Sequence, residues 1–361
     1  MKAMTINLTD QDARRCRLTE ETRARIAALN RAKRALNAKK LEAFGGKYNT
    51  DDHGFIYMPK FRFEPEGVDA DGFVTGQVNL GRNLGRYLAE TPLYIHPASA
   101  LAGCWVGNLP SYMRVRGVSA DLPPELVARQ RRYLMWANGI GGMNHLGPDL
   151  EIGLELGLPG LLQKLVTWRD RNAPAGADFY AAHEPVIRGI IRYTERHRDE
   201  ARRRAALRAA RCGAQDPLAE NYRAMAETLE RLLAGPPLTL RDACQFLSIF
   251  QSADRSYFLG GAGGQLDELL RPFYERDRAL GLVTDDEAVW YLASLFYNDT
   301  HYWQLGGLSP DGSHELVTRL SFLILQAAHE LAIPYNLAIR VYPGMDRRLL
   351  RRSLEYTLER G

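Results

Sequence analysis

Residues 258–277 read FLGGAGGQLDELLRPFYERD and join a glycine-rich segment to an amphipathic pattern. Glycines at positions 260, 261, 263 and 264 favour a turn or a close backbone approach, because glycine has no Cβ. Apolar side chains then recur at helical spacing, at positions 266, 269, 270 and 273. Taken alone, the stretch predicts a glycine-rich loop that leads into a helix.

The composition is that of a globular protein, and the length suffices for a sizeable core. Of its 361 residues, 45% are hydrophobic and 25% charged, and no apolar run approaches the length of a membrane span. The first ten residues lack the pattern of a signal peptide. Four cysteines lie far apart, at positions 16, 104, 212 and 244, which argues against a disulfide framework and against a zinc or iron–sulfur site. We therefore expect a cytoplasmic protein with no membrane contact and no metal, and a core position for Cys104.

A net charge of +4 raises the question of nucleic-acid binding, and residues 192–211 are the arginine-rich part of the chain. Acidic residues are interspersed there, including Glu195, Asp199 and Glu200. Such alternation is typical of a solvated helix face that carries ion pairs. The sequence predicts no nucleic-acid interface.

Periodicity and capping residues predict a mostly helical chain. Helices are expected at 18–43, 122–134, 179–211, 221–233, 285–297 and 346–360, with Thr19 and Thr239 as N-caps. The aromatic, Gly- and Pro-containing region 47–113 predicts extended segments and loops rather than long helices. Residues 334–341 predict a buried strand.

Several motifs together resemble the glycyl radical enzymes, the family that includes pyruvate formate-lyase. Residues 264–267, GQLD, and 272–274, PFY, are similar to the family's Gly-Arg-hydrophobic-Asp and Pro-Phe/Tyr-Tyr signature, with Gln265 in place of the usual arginine. Five further segments match in the family's order: 141–161, 237–245, 280–288, 306–316 and 334–341.

The resemblance implies an α/β fold in which this mostly helical chain contributes one half of a ten-stranded α/β barrel. Residues 1–120 would pack on the barrel exterior as an N-terminal helix and an irregular α/β segment. Residues 121–361 would form the N-terminal half of a pyruvate formate-lyase-like domain that is incomplete at its C-terminus.

The same resemblance implies candidate site residues. His145 matches a histidine that faces the substrate in radical dehydratases, and an imidazole there can accept or return a proton. Asp149 could orient His145 or cap the helix that begins at Leu150. Substrate-binding candidates are Asp254, Ser256, Trp303, Gln304 and Arg340, although Trp303 also suits plain core packing. No directly bound cofactor and no metal ligand are expected.

In this family a glycyl radical and a thiyl-forming cysteine carry the chemistry, and we expect both on sequence outside this chain. The chain is then a fragment of a longer enzyme or one subunit of a split enzyme. The implied activity is radical cleavage of a C–C, C–O or C–N bond in a small polar metabolite, of the lyase, dehydratase or formate acyltransferase type.

Implied partners are a radical SAM activating enzyme, the remaining half or partner subunit, and a second copy in a homodimer of the complete enzyme. Two alternatives stay open: a non-catalytic helical scaffold or binding protein derived from the fold, and an ordinary acid/base lyase that uses His145 with Asp149 or Asp254.

Overall fold

The computed structural model describes residues 8–45, 54–58, 61–115, 123–132, 147–257, 262–300 and 302–360. The helices in these ranges are α1 (Glu20–Ala43), α2 (Gln77–Glu90), α3 (Pro124–Arg132), α4 (Leu150–Asn172), α5 (Ala177–Cys212), α6 (Pro217–Ala234), α7 (Leu240–Tyr257), α8 (Leu266–Ala279), α9 (Asp285–Asn298), α10 (Arg319–Leu331) and α11 (Arg347–Arg360). The strands are β1 (Phe73–Val74), β2 (Arg114–Val115), β3 (Ala262–Gln265), β4 (Tyr302–Leu305) and β5 (Leu337–Ile339). The predicted mostly helical α/β fold is confirmed.

Side-chain caps place the helix ends close to where the sequence predicts them. The hydroxyl of Thr19 accepts from the N–H of Thr22 at 3.1 Å at the start of α1. Thr284 and Glu287 form a reciprocal capping box at the start of α9. Each cap satisfies backbone donors that have no partner inside the helix, so these boundaries are encoded locally.

Helix α2 contradicts the prediction that residues 47–113 contain no long helix. Glycine disfavours helix in a sequence-based prediction, but the glycines of α2 allow its close contact with α5. A Cβ on Gly85 would lie 2.3 Å from the Pro185 carbonyl oxygen, and one on Gly189 would lie 2.6 Å from the Gly85 Cα. The two backbones approach so closely that only glycine fits at the crossing.

Strands β3, β4 and β5 form a parallel sheet in that order, with Gln265 opposite Gln304 and Gln304 opposite Ala338. The prediction of a glycine-rich loop is therefore wrong at its end, where residues 262–265 form strand β3. Gly263 lies against the indole of Trp303, where a Cβ would meet the ring at 2.4 Å. The prediction that β5 is buried is wrong: Ala338 is exposed on the same open face as Gln304, and Leu337 and Ile339 are only half-buried at the outer strand of the sheet in the described part of the chain.

One hydrophobic core runs from Leu18 to Tyr356 and includes side chains of most helices. Helices α7, α9 and α10 lie at its centre and are buried on nearly all sides. The Gln245 amide, inside α7, donates to and accepts from the backbone of Ala102 at 2.7 and 2.8 Å. Cys104 is fully buried, and burial raises the pKa of its thiol to about 12, as expected of a core cysteine.

The arginine-rich part of α5 is a solvated, ion-paired surface, as predicted. Glu200 accepts from Arg203 and Arg204 at 2.7 Å each, and Arg198 donates to Glu230 at 2.9 Å. Separately, no helix among the described residues is long and apolar enough to cross a bilayer.

Candidate functional site

A cavity of about 970 Å³ lies at the carboxyl ends of the three parallel strands. Its walls come from the end of β3, the first turns of α8, the start of α4, the loop after β4, and Arg340 directly after β5. In open parallel sheets this edge is where ligands bind, because the strand-to-helix connections converge there. We call it the strand-end cavity.

The guanidinium of Arg340 is held at this cavity by the first strand of the sheet. Its Nη1 donates to the Gln265 Oε1 at 3.1 Å, and the Gln265 Nε2 donates to the Gly306 carbonyl oxygen at 2.6 Å. The backbone N–H of Arg340 also donates to the Leu305 carbonyl oxygen at 3.0 Å. Within the described residues no carboxylate lies within 4.0 Å of this guanidinium, so its charge is available to a ligand.

Glu268 is a second titratable group in the cavity wall. Its Oε2 accepts from Arg271 at 2.6 Å, while its Oε1 is buried and has no hydrogen-bond partner in the part of the chain that the structure describes. Burial raises the pKa of this carboxyl to about 7. The carboxylates of Asp267 and Glu275 raise this pKa further, whereas the guanidinium of Arg271 lowers it. Glu268 can therefore exchange a proton near neutral pH.

Asp267 lies beside Glu268 but is completely buried. Its Oδ2 accepts from the backbone N–H of Gly306 at 2.9 Å and from the Ser321 hydroxyl at 2.6 Å. Burial raises the pKa of this carboxyl. Asp267 fixes the position of the wall and does not reach the cavity.

The predicted catalytic pair is His145 and Asp149. His145 lies outside the described residues. Asp149 lines the strand-end cavity and is the N-cap of α4, where its Oδ1 accepts from the Ile152 N–H at 3.1 Å. The capping role that the sequence left open is thus present in the structure.

The predicted substrate-binding residues do not converge on one point. Arg340 alone among them lines the strand-end cavity. Trp303 is buried on the helix-covered face of β4, and Gln304 is exposed on the opposite face. Ser256, near the end of α7, is buried and donates to the Ser252 carbonyl oxygen at 2.7 Å.

Asp254 is on the same last turns of α7 and is half-buried. It too is absent from the walls of the strand-end cavity. A role in substrate binding stays a prediction for all of these side chains.

Sequence reasoning missed Gln265 and Glu268 as site residues. Gln265 was noticed only as a replacement for arginine, and its contact with Arg340 spans 75 positions in the chain. For Glu268 a signal existed: a Glu–Arg pair three residues apart, on the first turn after the glycine-rich stretch. Among the described residues, no three His, Cys, Asp or Glu side chains are grouped so that they could hold a metal ion.

Residues 115–361 match the model of the family described as pyruvate formate lyase-like. The isethionate sulfite-lyase of Bilophila wadsworthia is 26% identical over 236 residues, which are 56% of this chain and 28% of that protein.

Two solved structures share the fold. An enzyme of 1,2-propanediol dehydration in Roseburia inulinivorans superposes with a TM-score of 0.69 at 17% identity, over 97% of this chain and 50% of that one. A glycyl radical enzyme from Archaeoglobus fulgidus gives a TM-score of 0.65 at 17% identity, over 97% and 49%. The chain spans about half the length of these solved structures, and its match covers a smaller share of the curated relative.

Proposed function

The chain belongs to the pyruvate formate lyase-like family, and we propose that it forms the N-terminal half of a glycyl radical enzyme. The complete enzyme would cleave a C–C, C–O or C–N bond of a small polar metabolite, as a lyase, dehydratase or acyltransferase. The half that carries the thiyl-forming cysteine and the radical glycine would be supplied by the continuing polypeptide or by a partner subunit.

The observation that carries this proposal is that the sheet is open where a barrel would continue. Tyr302 and Gln304 are exposed on one face of β4, and Ala338 is exposed opposite Gln304. Helix α11, at the end of the described chain, presents Leu354 and Leu358 at 55% and 82% exposure. Exposed apolar side chains on α11, together with an outer strand β5 that has no further partner strand among the described residues, support an interface with more polypeptide.

In this proposal the chain binds and shields the substrate. The missing half would supply hydrogen abstraction by its cysteine, after a radical SAM activating enzyme has generated the glycyl radical. Arg340 would bind a polar or anionic group of the substrate, since Gln265 presents its guanidinium to the strand-end cavity. His145, by resemblance, would accept or return a proton. Walls that exclude water and oxygen and fix one substrate orientation are what radical chemistry requires.

The remaining candidates have positions that suit a completed barrel. Gln304 is on the exposed face of β4, which the missing half would enclose, and Trp303 is buried on the opposite face. Asp254 and Ser256 end the helix that leads into β3. We expect the complete enzyme to be a cytoplasmic homodimer.

The decisive experiment adds the missing polypeptide. This chain, extended by its continuing reading frame or co-expressed with a separately encoded subunit, is activated without oxygen by a radical SAM enzyme. We expect a glycyl radical signal in electron paramagnetic resonance and bond cleavage of a small polar substrate. A stable monomer that recruits no second half and shows no radical would contradict the proposal and favour a non-catalytic scaffold.

Two variants test the roles of the residues in the active complex. Arg340→Gln should leave the radical signal intact and lower kcat/KM by about tenfold or more, because one charged contact with the substrate is lost. Arg82→Gln, at an exposed arginine on α2, is the matched control. Asp149→Ser keeps an N-cap for α4, so lost turnover with unchanged stability would assign catalysis to the carboxylate, and unchanged turnover would leave Asp149 as a cap only.

A further inference from the structure

A second, strongly basic cavity lies under the N-terminal segment, away from the strand-end cavity. Its volume is about 470 Å³, and the two cavities share no lining residue. Residues 9–17 form one wall, and the junction of α8 and α9 and the start of α10 form the other. A neighbouring hollow of about 300 Å³ shares Arg15, Cys16 and Arg17 with it. We call the pair the N-terminal cavity.

The charge of the N-terminal cavity is far from balanced. The larger hollow is lined by five arginines and two aspartates, a net charge of +3. Asp285 is already engaged, since it accepts from Arg319 at 2.8 Å and from the Tyr274 hydroxyl at 2.7 Å and lies 3.3 Å from Arg278. Arg15 is paired with Glu330 at 2.6 Å.

Three guanidinium groups are left over, and with them the carboxylate of Asp12, which accepts from the Thr9 N–H and hydroxyl at 2.8 and 2.6 Å. Arg14, Arg17 and Arg23 are exposed, and no carboxylate lies within 4.0 Å of them in the described ranges. Residues 1–7, which precede this segment, contain no acidic residue. Unpaired cations gathered around a concave surface repel one another, and an anion in their midst removes that repulsion.

The segment that carries these arginines is held in place and is not a loose tail. The backbone N–H and carbonyl of Cys16 form two 2.8 Å hydrogen bonds with the Gln326 side chain on α10. Arg319 donates to the carbonyl oxygens of Asp12 and Arg14, the first at 2.6 Å. The N-terminal cavity is therefore preformed, which lowers the entropy cost of binding.

We propose that the N-terminal cavity is an anion site for a small molecule that bears a phosphate group. Guanidinium groups bind phosphate through paired N–H donors, and Arg14 and Arg17, which both line the larger hollow, match the charge of the dianion. The larger hollow accommodates the phosphate between Arg14 and Arg17. The smaller one, beside Arg23, receives the organic part of the ligand. This inference does not depend on the proposed enzymatic function.

The test measures the thermal unfolding midpoint and the binding isotherm of this chain with inorganic phosphate and with glycerol phosphate, against sodium chloride at equal ionic strength. We expect a saturable rise of the midpoint with both phosphates. The double variant Arg14→Gln/Arg17→Gln should weaken binding by about tenfold or more. The control Arg82→Gln/Arg347→Gln removes the same charge from exposed positions on α2 and α11 and should keep the affinity within about twofold.

Two outcomes would overturn the proposal: no saturable response of the wild-type chain beyond that to chloride, or an equal loss of affinity in the control variant, which would reduce the effect to net charge. Circular dichroism establishes that the variants are folded before binding is measured.

Discussion

The hydroxyl of Ser321 donates a 2.6 Å hydrogen bond to the buried carboxylate of Asp267. The same carboxylate oxygen accepts from the backbone N–H of Gly306 at 2.9 Å. One side chain thus joins the first turn of α8, the first turn of α10 and the end of β4. Because Glu268 follows directly in sequence, this buried junction sets the position of the strand-end cavity wall.

Removal of the Asp267 carboxylate should destabilise the fold strongly. In Asp267→Ala a buried backbone donor and a buried hydroxyl lose their acceptor and a small void remains, so we expect the free energy of unfolding to fall by about 3 kcal/mol or more. Ser321→Ala removes one of these two bonds and also the acceptor of the Thr318 N–H at the start of α10, so it should cost about 2 kcal/mol. Urea denaturation measures both. The exposed control Asp170→Ala should stay within about 0.5 kcal/mol, and an equal effect of all three variants would contradict the junction.

His197 should make the stability of the fold depend on pH between about 4 and 6.5. It is fully buried on α5, its Nδ1 lies 2.9 Å from the Tyr193 carbonyl oxygen, and burial lowers its pKa from 6.5 to about 4. Between these values the unfolded chain binds a proton that the folded chain does not bind. Stability is therefore lost as the pH falls, by up to about 1.4 kcal/mol per pH unit from this group.

The contribution of His197 is isolated by the variant His197→Phe, in urea denaturation at pH 4.5, 5.5 and 7. We expect a lower stability at pH 7, since the bond to Tyr193 is lost, but a shallower fall towards pH 4.5. His96 adds to the slope in the same direction, because burial also lowers its pKa to about 4. Parallel pH profiles of wild type and His197→Phe would exclude this account.

Glu268 should act with the opposite sign. Burial raises its pKa from 4.5 to about 7, so the folded chain retains a proton that the unfolded chain has released between these values. Its contribution is present below pH 4.5 and is lost as the pH rises through 7. Glu268→Gln keeps a polar partner for Arg271 but cannot ionise. The variant should gain stability relative to wild type on going from pH 5 to pH 8, measured as a difference in urea midpoints, whereas a difference that is constant with pH would refute the shift.

The sequence predicted best what short-range chemistry decides. Helix α1 begins after Thr19 and α9 after Thr284, because a hydroxyl that caps a helix acts within three residues of itself. The same applies to the ion-paired surface of α5, where charges three and four residues apart meet on one face. Family motifs added the fold and the order of its elements.

Long-range contacts explain what was missed. The glycines of region 47–113 favoured loops in the sequence, but Gly85 lies within a helix because it contacts Gly189, more than a hundred positions away. The strand at Gly263 depends on the indole of Trp303, and the exposure of β5 depends on its place at the sheet edge. The pairing of Arg340 with Gln265 likewise follows from strand order, which no local pattern contains.

Gly157 should be the least replaceable residue of α4. Its φ of +65° interrupts the helix, and a Cβ there would lie 2.6 Å from the Gly235 carbonyl oxygen. Gly157→Ala combines an unfavourable backbone conformation with a clash against backbone, so we expect a loss of about 3 kcal/mol or more in urea denaturation. Hydrogen exchange should rise in the first turns of α4, which line the strand-end cavity from Asp149 to Glu155.

Gly235→Ala is the matched control across the same contact. The φ of Gly235, −177°, is extended, and nothing lies within 4 Å of the added Cβ, so this variant should change stability by about 0.5 kcal/mol at most. Equal losses in the two variants would show that the bend in α4 does not depend on Gly157.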